Sequence, residues 1–370
     1  MSVDFADMVL ATLERGASDL HLTAGVPPTV RVNGHLHALD DFPVLDVQDT
    51  REIVYSILNE AQRQQFETRR QVDFGYSVPR AARFRVNAYI QRGAVAAALR
   101  LIPERIRSLD ELGMPSAVSE MATRPRGIVL VTGPTGSGKS TTLAAMVDQI
   151  NATRHEHILT IEDPIEFLHG HKRCLVNQRE LGADATSFAE GLRAALRQDP
   201  DVILVGEMRD LETISVALTA AETGHLVLAT LHTQDAPQTI DRVIDVFPPH
   251  EQQHVRVMLS VALRGVVAQQ LLSTADGAGR VAAVEVLVPT PAVRNLIREG
   301  KTHQIYSAIQ TGAEHGMQTM DAALAELVRA GKIARDLARR RASSPAELAR
   351  LLDDGYEAMM ASGNGARFGL

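Results

Sequence analysis

Apolar and polar residues change their spacing near residue 126, and the two sides of this point predict different folds. On the amino-terminal side, apolar residues recur at helical spacing over residues 3–15 and 46–67. Alternating stretches typical of strands cover residues 16–22, 29–34, 72–76, 82–90 and 94–102. Asn33 followed by Gly34 is typical of a hairpin turn. The pattern therefore predicts a small α+β domain over residues 1–102.

Beyond residue 126, continuous apolar runs typical of buried strands alternate with helical patterns. The runs cover residues 127–132, 157–162, 201–206 and 224–230, and the helical patterns cover residues 141–150, 187–198 and 211–222. This alternation predicts a mainly parallel sheet with helices on both faces, and ligands then bind at the carboxyl ends of its strands. Residues 127–370 are thus a predicted α/β domain, and the Pro- and Gly-containing residues 103–126 are a predicted linker.

The carboxyl-terminal part of this domain gives a weaker pattern. Residues 237–271 are predicted to be helical, and a pair of short strands is expected on either side of residues 276–279. Helices are expected over most of the remainder, and the small and polar residues 361–370 predict a loose tail.

A glycine-rich loop between the first apolar run and its following helix matches the phosphate-binding pattern G-x-x-x-x-G-K-[ST]. Its glycines allow backbone N–H groups to turn inward around an anion, while Lys139 reaches the β and γ phosphates and Ser140 ligates Mg²⁺. The strand before the loop and the helix after it argue against a chance match. The predicted nucleotide-binding residues are Gly133, Pro134, Thr135, Gly136, Ser137, Gly138, Lys139, Ser140 and Thr141.

Carboxylates follow the next two apolar runs. Glu162, Asp163 and Glu166 come after one of them, where they could hold Mg²⁺ or polarise an attacking water, although an acidic turn around a proline is the structural alternative. Gly206 and Glu207 end the other run in the Walker B layout. Because a glycine stands where many ATPases have an aspartate, Glu207 is expected to act alone or through water-held Mg²⁺.

Histidines and arginines complete the candidate chemistry. His225 opens the last apolar run and His232 follows its end, so at least His232 is a candidate sensor of the γ-phosphate, against the alternative of a packed or solvated side chain. Charge developing on a transferred phosphoryl group must be met by cations, for which the surface is the default alternative. The candidates are Arg83, Arg85, Arg92 and Arg100 in the first domain, and Arg193 and Arg197, four apart on one predicted helix face.

Composition and charge narrow the class of protein. The net charge of −7 argues against a nucleic-acid-binding protein, which usually carries a basic surplus. Cys174 is the single cysteine, so an intrachain disulfide and a cysteine-rich zinc site are excluded. The first residues lack the features of a signal peptide, and no run of about 18 apolar residues predicts a membrane span. We therefore expect a soluble, cytoplasmic protein.

Taken together, these segments resemble the PilT family of type IV pilus retraction ATPases, within the secretion ATPases. The resemblance runs from residue 17 to about residue 330, through a Walker A box at 133–140, an aspartate box at 160–167, a Walker B box at 199–210 and a histidine box at 223–233. It implies a RecA-like P-loop core and a PAS-like first domain, with ATP and Mg²⁺ as cofactors. It also implies site roles for Glu166 (activating water), Glu207 (acting through Mg²⁺), His225 and His232 (the histidine pair), Arg85 and Arg100 (reaching phosphates), and Arg193 and Arg197 (phosphate or interface contacts).

Two features favour the retraction branch of this family. A single cysteine leaves no room for the four-cysteine zinc insert usual in extension and type II secretion motors. Residues 292–300 resemble the A-I-R-N-L-I-R-E-G signature of retraction ATPases, with Val293 in place of isoleucine. An accessory retraction ATPase of the PilU kind remains an alternative, as does an extension or secretion motor.

The resemblance further implies a homo-oligomer, most simply a hexamer, in which ATP joins the two domains and its hydrolysis reopens them. The implied partner is an inner-membrane pilus platform protein, which places the ring at the cytoplasmic face of the inner membrane. Two other classes of protein stay open: a hexameric nucleic-acid translocase, disfavoured by the charge, and a nucleotide-gated scaffold without productive hydrolysis.

Overall fold

The chain folds into two compact units in a computed structural model that describes residues 4–32, 34–78, 82–102 and 105–361, with side chains through residue 353. The first unit comprises Met1–Arg105 with Pro164–Leu168, and the second comprises Ile106–Asp163 with His169–Leu370. Residues 1–3, Asn33 of the expected hairpin turn and residues 362–370 of the expected tail lie outside the described residues.

The described residues of the first unit form a six-stranded antiparallel sheet and three helices. The sheet order is β3-β2-β1-β6-β5-β4. Its strands are β1 (Asp19–Leu22), β2 (Thr29–Val32), β3 (His35–Ala38), β4 (Gln71–Val78), β5 (Ala82–Gln91) and β6 (Ala94–Ile102), and its helices are α1 (Phe5–Glu14), α2 (Val47–Ile57) and α3 (Glu60–Arg69).

Alternation along the strands builds the core of this unit. Phe84, Val86 and Ala88 are buried on β5, while the residues between them are more exposed, and they pack with Leu99 of the neighbouring strand. The predicted α+β domain is confirmed. A single helix over 46–67 is wrong, because Leu58 is extended and Asn59 starts a second helix with its own capping box.

The second unit contains a seven-stranded sheet that is mainly parallel. Its order is β13-β12-β7-β11-β10-β8-β9, and only the β12–β13 pair is antiparallel. The strands are β7 (Gly127–Thr132), β8 (His157–Glu162), β9 (Leu175–Glu180), β10 (Val202–Val205), β11 (Leu226–Leu231), β12 (Leu263–Ser273) and β13 (Arg280–Leu287).

Helices cover both faces of this sheet, as predicted. Alternate residues of β7 face opposite cores: Ile128 and Leu130 join the helices of one face, and Val129 and Val131 join those of the other. Two short 3-10 helices (Thr302–Gln304 and Ala313–His315) accompany the helices α4 (Ser116–Ala122), α5 (Lys139–Thr153), α6 (Phe188–Ala195), α7 (Leu211–Glu222), α8 (Ala236–Asp245), α9 (Pro249–Ala262), α10 (Pro291–Arg298), α11 (Ile305–Thr311), α12 (Met320–Arg329), α13 (Arg335–Arg341) and α14 (Pro345–Ala361).

Two strands of this sheet differ from the sequence-based expectation. Strand β9 was not predicted, because its exposed and polar positions leave too short an apolar run. Helix over 263–271 is wrong, since β12 occupies this stretch beside β7. Most of β12 is buried, so it lacks the alternation that marks a half-buried strand. The expected short strands around 276–279 are the ends of the long β12–β13 hairpin.

Most of the predicted linker belongs to the second unit. Leu109, Val118 and Met121 are buried in the same core as α5, and α4 packs on α5 and β12. Of the described helices, none is long and apolar enough to cross a bilayer.

Candidate active site

Parallel pairing brings the ends of four strands to one edge of the second unit's sheet. Leu231 pairs with Thr132, while Val205 pairs with Ala229 on one side and Ile161 on the other. Glu162 is the last residue of one of these strands, and the segments that follow the others carry the phosphate loop, Glu207 and His232. The sequence therefore delivers its candidate side chains to a common edge, as expected for a parallel α/β sheet.

The phosphate loop has the backbone conformation of an anion cradle. Gly133, Gly136 and Gly138 adopt φ of 139°, 79° and 92°, values that disfavour other residues. Helix α5 begins at Lys139, and its N-cap residue Gly138 has no side chain that could compete with an anion for the first N–H groups. The loop and first turn contain every predicted nucleotide-binding residue: Gly133, Pro134, Thr135, Gly136, Ser137, Gly138, Lys139, Ser140 and Thr141.

Lys139 lies inside this loop. Its Nζ donates to the carbonyl oxygens of Gly133 and Pro134 at 2.8 and 3.1 Å, and its side chain is buried. The ammonium group thus already sits among the loop carbonyls, from which it can turn to a phosphate oxygen. The neighbouring Ser140, partly exposed, presents its hydroxyl on the first turn of α5.

Gln269 of β12 also supports the loop, and sequence reasoning missed it. Its Nε2 donates to the Ser137 carbonyl at 2.7 Å, and the residue is 1% exposed. The contact joins residues 132 positions apart. The predicted helix over this stretch hid it, and no local motif marks it.

Glu207 is held by two basic side chains. Its Oε1 accepts a hydrogen bond from His232 Nε2 at 2.7 Å and another from Arg209 Nε, and the carboxylate is largely shielded. The bond to Glu207 raises the pKa of Arg209, with a further contribution from Asp163. A Cβ added to Gly206, the residue before Glu207, would lie 3.2 Å from Glu162 Cα, and this close contact favours glycine at position 206. The structure therefore unites the predicted Walker B carboxylate with the predicted sensor histidine.

Three threonine hydroxyls, two of them buried, connect the loop after β11 to the strand that leads into the phosphate loop. Thr233 Oγ1 lies 2.7 Å from Thr239 Oγ1, which lies 3.4 Å from Thr132 Oγ1. Thr132 and Thr239 are fully buried. This connection was also missed, because threonines at these spacings form no recognisable motif.

The carboxylates at the end of β8 and after it belong to different units: Glu162 to the second and Glu166 to the first. Glu162 accepts from Thr160 and Gln178 at 2.6 and 3.1 Å in the second unit. Glu166, the predicted catalytic carboxylate, belongs to the first unit, where Arg85 Nη1 lies 3.8 Å from its Oε1. Two of the predicted site residues, Arg85 and Glu166, thus lie together.

Arg100, the other predicted phosphate-binding arginine of the first unit, donates to Asp19 Oδ1 at 2.9 Å. Burial raises the pKa of Asp19, but the hydrogen bonds from Ser18 and Arg100 outweigh it, and the net pKa is lowered. Asp19 is thereby kept as a carboxylate that holds Arg100 in place.

Three predicted site residues lie elsewhere. His225 precedes the amino end of β11, at the sheet edge opposite the phosphate loop, and its Nδ1 lies 2.9 Å from the Ala220 carbonyl oxygen. Arg193 pairs with Glu212 of α7 at 2.5 Å on the surface. Arg197 does not share a helix face with Arg193, because α6 ends at Ala195. His225 therefore lies away from the phosphate loop, and the phosphate or interface contacts expected of Arg193 and Arg197 stay predictions.

The predicted Mg²⁺ ligands Ser140 and Glu207 both offer oxygen atoms, which Mg²⁺ prefers. Within the described residues, no three His, Cys, Asp or Glu side chains gather as a metal site. An Mg²⁺ ion that arrives with a nucleotide needs few protein ligands, because waters and the substrate phosphates supply its other ligands. The side chains present thus fit a nucleotide-borne Mg²⁺.

Similarity to known proteins agrees with a nucleotide-binding site at this sheet edge. A family model described as "Type II/IV secretion system protein" matches residues 4–339. The type IV pilus retraction ATPase PilT of Pseudomonas aeruginosa is 54% identical over 93% of this chain and 99% of its own length. The type IV pilus ATPase PilU of the same organism is 43% identical over 96% and 93%.

A solved structure is also similar. The crystal structure of the pilus retraction motor PilT with bound ADP has a TM-score of 0.88 and 51% identity, and the match covers 94% of this chain and 99% of that one. The chain therefore belongs to the type II/IV secretion system protein family, as an ATPase of its pilus-retraction branch.

Proposed function

We propose that this chain assembles into a hexameric ring that hydrolyses ATP and drives the retraction of type IV pili. The main observation in its favour is that the phosphate loop, Glu207 and His232 lie at the same edge of the sheet. Identity over nearly the full length of a retraction ATPase supports the pilus as the load. The platform protein of the inner membrane is the proposed partner, which would place the ring at the cytoplasmic face of that membrane.

The residues of the second unit bind and orient the triphosphate. N–H groups at the start of α5 hold phosphate oxygens, and Lys139 exchanges its bonds to the loop carbonyls for a bond to the β or γ phosphate. Ser140 and Glu207 would hold Mg²⁺, which supplies charge neutralisation at the phosphates when bound. His232 keeps the Glu207 carboxylate in one orientation for this task.

Glu166 is the proposed general base for the attacking water. A carboxylate accepts a proton from water most readily when it is not held in a strong ion pair with a neighbouring cationic side chain. Arg85 lies 3.8 Å from Glu166 with both side chains partly exposed, so this ion pair is weak and easily separated. Arg85 and Arg100 would then contribute positive charge to bound phosphates in the assembled ring.

The test is the ATPase activity of the purified protein beside its Glu166→Gln and Glu207→Gln variants, with the oligomer size measured in the same samples. Both variants should lose about 100-fold or more of the hydrolysis rate while retaining ATP binding, because each removes a carboxylate needed in the chemical step. Glu251→Gln, at an exposed position of α9, serves as the control and should hydrolyse ATP like the unmodified protein.

The outcomes separate a motor from a scaffold. Hydrolysis by a hexamer-sized species that disappears in both variants supports the proposal. A ring that binds ATP tightly but hydrolyses it no faster than the two variants would instead identify a nucleotide-gated scaffold. Salt-sensitive DNA binding that accelerates hydrolysis would favour a nucleic-acid translocase.

A further inference from the structure

Gln269 is a buried polar residue of β12 that contacts the phosphate loop from a distant part of the chain. The register of β12 with β7 pairs Ala268 with Thr132, so Gln269 lies just where β7 turns into the loop. Its Nε2 donates to the Ser137 carbonyl oxygen at 2.7 Å, and the residue is almost fully buried.

The phosphate loop and β12 pack so closely that a side chain would not fit between their backbones at Gly133. A Cβ added to Gly133 would lie 2.3 Å from the Gln269 carbonyl oxygen, and one added to Gly138 would lie 3.0 Å from its Nε2. The backbone of residue 269 thus leaves no room for a side chain at Gly133, and the Gln269 amide lies close to Gly138; both glycines also have positive φ.

The amide is not placed there for stability alone. Gln269 Oε1 is buried and has no hydrogen-bond partner among the described residues, and the same holds for Ser137 Oγ. Buried unsatisfied polar atoms destabilise a fold, and an apolar side chain of similar size would avoid the cost. An amide that bonds to the loop while its own Oε1 stays without a partner among the described residues points to a function at the loop.

We propose that Gln269 is a positioning residue that orients the peptide between Ser137 and Gly138 for phosphate binding. In a trans peptide the C=O and the following N–H point in opposite directions. By holding the Ser137 carbonyl on the β12 side, Gln269 directs the Gly138 N–H toward the interior of the loop. Without this bond, the flexible peptide can turn its carbonyl oxygen toward the phosphates and repel them.

This role rests on the proposed binding of ATP at the loop and is tested by ATP affinity and its pH dependence. Gln269→Leu should weaken ATP binding about tenfold through the loss of one buried hydrogen bond, with a larger change in KM than in kcat. Gln269→Glu should bind ATP weakly when ionised, because its carboxylate faces a carbonyl oxygen. As the pH falls and the carboxyl group is protonated, it donates to Ser137 and affinity recovers relative to the unmodified protein at the same pH.

Gln270, the next residue on the same strand, gives matched controls, since its side chain is oriented to Arg341 and not to the loop. Gln270→Leu and Gln270→Glu should bind ATP like the unmodified protein at every pH, and thermal unfolding shows whether each variant is folded. Equal affinities for the Leu variants at 269 and 270, or a Gln269→Glu affinity that follows the unmodified protein across pH, would overturn the inference. Failure of the unmodified protein to bind ATP would overturn the proposed function itself, and the inference with it.

Discussion

At the residue scale, the orientation of Glu207 depends on side chains from two different loops. Arg209 approaches from the same loop and His232 from the loop after β11, and both bond to one carboxylate oxygen, Oε1. The second oxygen has no partner in the part of the chain that the structure describes, which suits a group that would reach Mg²⁺ directly or through water. In the proposed mechanism, His232 would act on the reaction through Glu207, whereas His225 lies at the other edge of the sheet.

Substitution of His232 should therefore change the dependence on Mg²⁺. His232→Ala removes the donor to Glu207 and should cost about 10- to 100-fold in Mg²⁺-dependent hydrolysis, as expected when a hydrogen-bond partner of a metal ligand is lost. His232→Gln, which retains an N–H donor, should lose less. Titration of the ATPase rate with Mg²⁺ measures the effect. His225→Ala should hydrolyse ATP close to the unmodified rate, and equal losses at both histidines would contradict this assignment.

At the element scale, helix α8 is held at its start by a buried carboxyl group. Glu285 of β13 is 1% exposed and accepts from the Ala236 N–H at 2.8 Å. Burial raises the pKa of Glu285 to about 7, against the lowering effect of the Ala236 and Met320 N–H groups and with a further rise from Asp235 and Asp321. Protonation of Glu285 thus bears on the helix that follows the His232 loop.

The folded chain binds this proton more tightly than the unfolded chain, in which the carboxyl group has its ordinary pKa of 4.5. The Glu285 contribution to stability is thus full below 4.5 and is lost as the pH rises through about 7. Glu285→Gln keeps an acceptor for Ala236 but has no proton to lose, so its melting temperature should fall less than that of the unmodified protein between about pH 5 and about pH 8. Parallel melting curves for the two proteins would contradict the raised pKa.

Helices α9 and α10 are joined by an arginine of the segment that resembles the retraction signature. Arg294 of α10 donates to the carbonyl oxygens of Ser260, Val261 and Leu263 at the end of α9. Burial lowers the pKa of Arg294, as does repulsion from Arg298 and Arg124. The guanidinium therefore serves as a carbonyl cap for α9, in the manner of basic groups at helix ends.

Arg294→Ala should lower the free energy of unfolding by about 1–2 kcal/mol, because the carbonyls at the end of α9 lose a charged donor while some cationic repulsion is relieved. Arg294→Lys should lose less. Urea denaturation followed by circular dichroism measures the change. Arg298→Ala is the control on the same helix, since Arg298 donates to the neighbouring Asn295, and a larger loss for this variant would contradict the capping role.

At the scale of the whole molecule, the segment before β7 is part of the second unit's core. Helix α4 covers β12 at a glycine: a Cβ added to Gly265 would lie 2.2 Å from Met121 Sδ and Cε. Gly265 thus allows a helix from the predicted linker to lie directly against the sheet. The boundary of the unit falls near residue 106, well before the first apolar strand.

A double-mutant cycle tests this packing. Gly265→Ala should destabilise the protein by about 1–3 kcal/mol through overpacking, and Met121→Ala by about 2–5 kcal/mol through a cavity. The double variant should be more stable than the sum predicts, because the new methyl group enters the space left by Met121. Gly265→Ala combined with Met146→Ala, on α5 in the same core, should instead be additive. Additivity in both pairs would contradict direct packing of α4 on Gly265.

Local sequence determined the phosphate loop, because strand, loop and helix are contiguous over residues 127–153 and each carries its own signal. The alternation of apolar runs and helical patterns likewise determined the parallel sheet and the common edge at which Glu207 and His232 meet. Most strands of the first domain were predictable for a related reason, since one buried face leaves a period of two in the sequence.

Only the tertiary structure decided what depends on register between distant segments. Strand β12 is buried on both faces and carries no period, so its sequence could not distinguish it from a helix, and the contact of Gln269 with Ser137 was hidden with it. The inclusion of α4 in the second unit followed from its packing on Gly265. The physical reason is the same in each case: local patterns record which face of a segment is buried, but not which distant residue buries it.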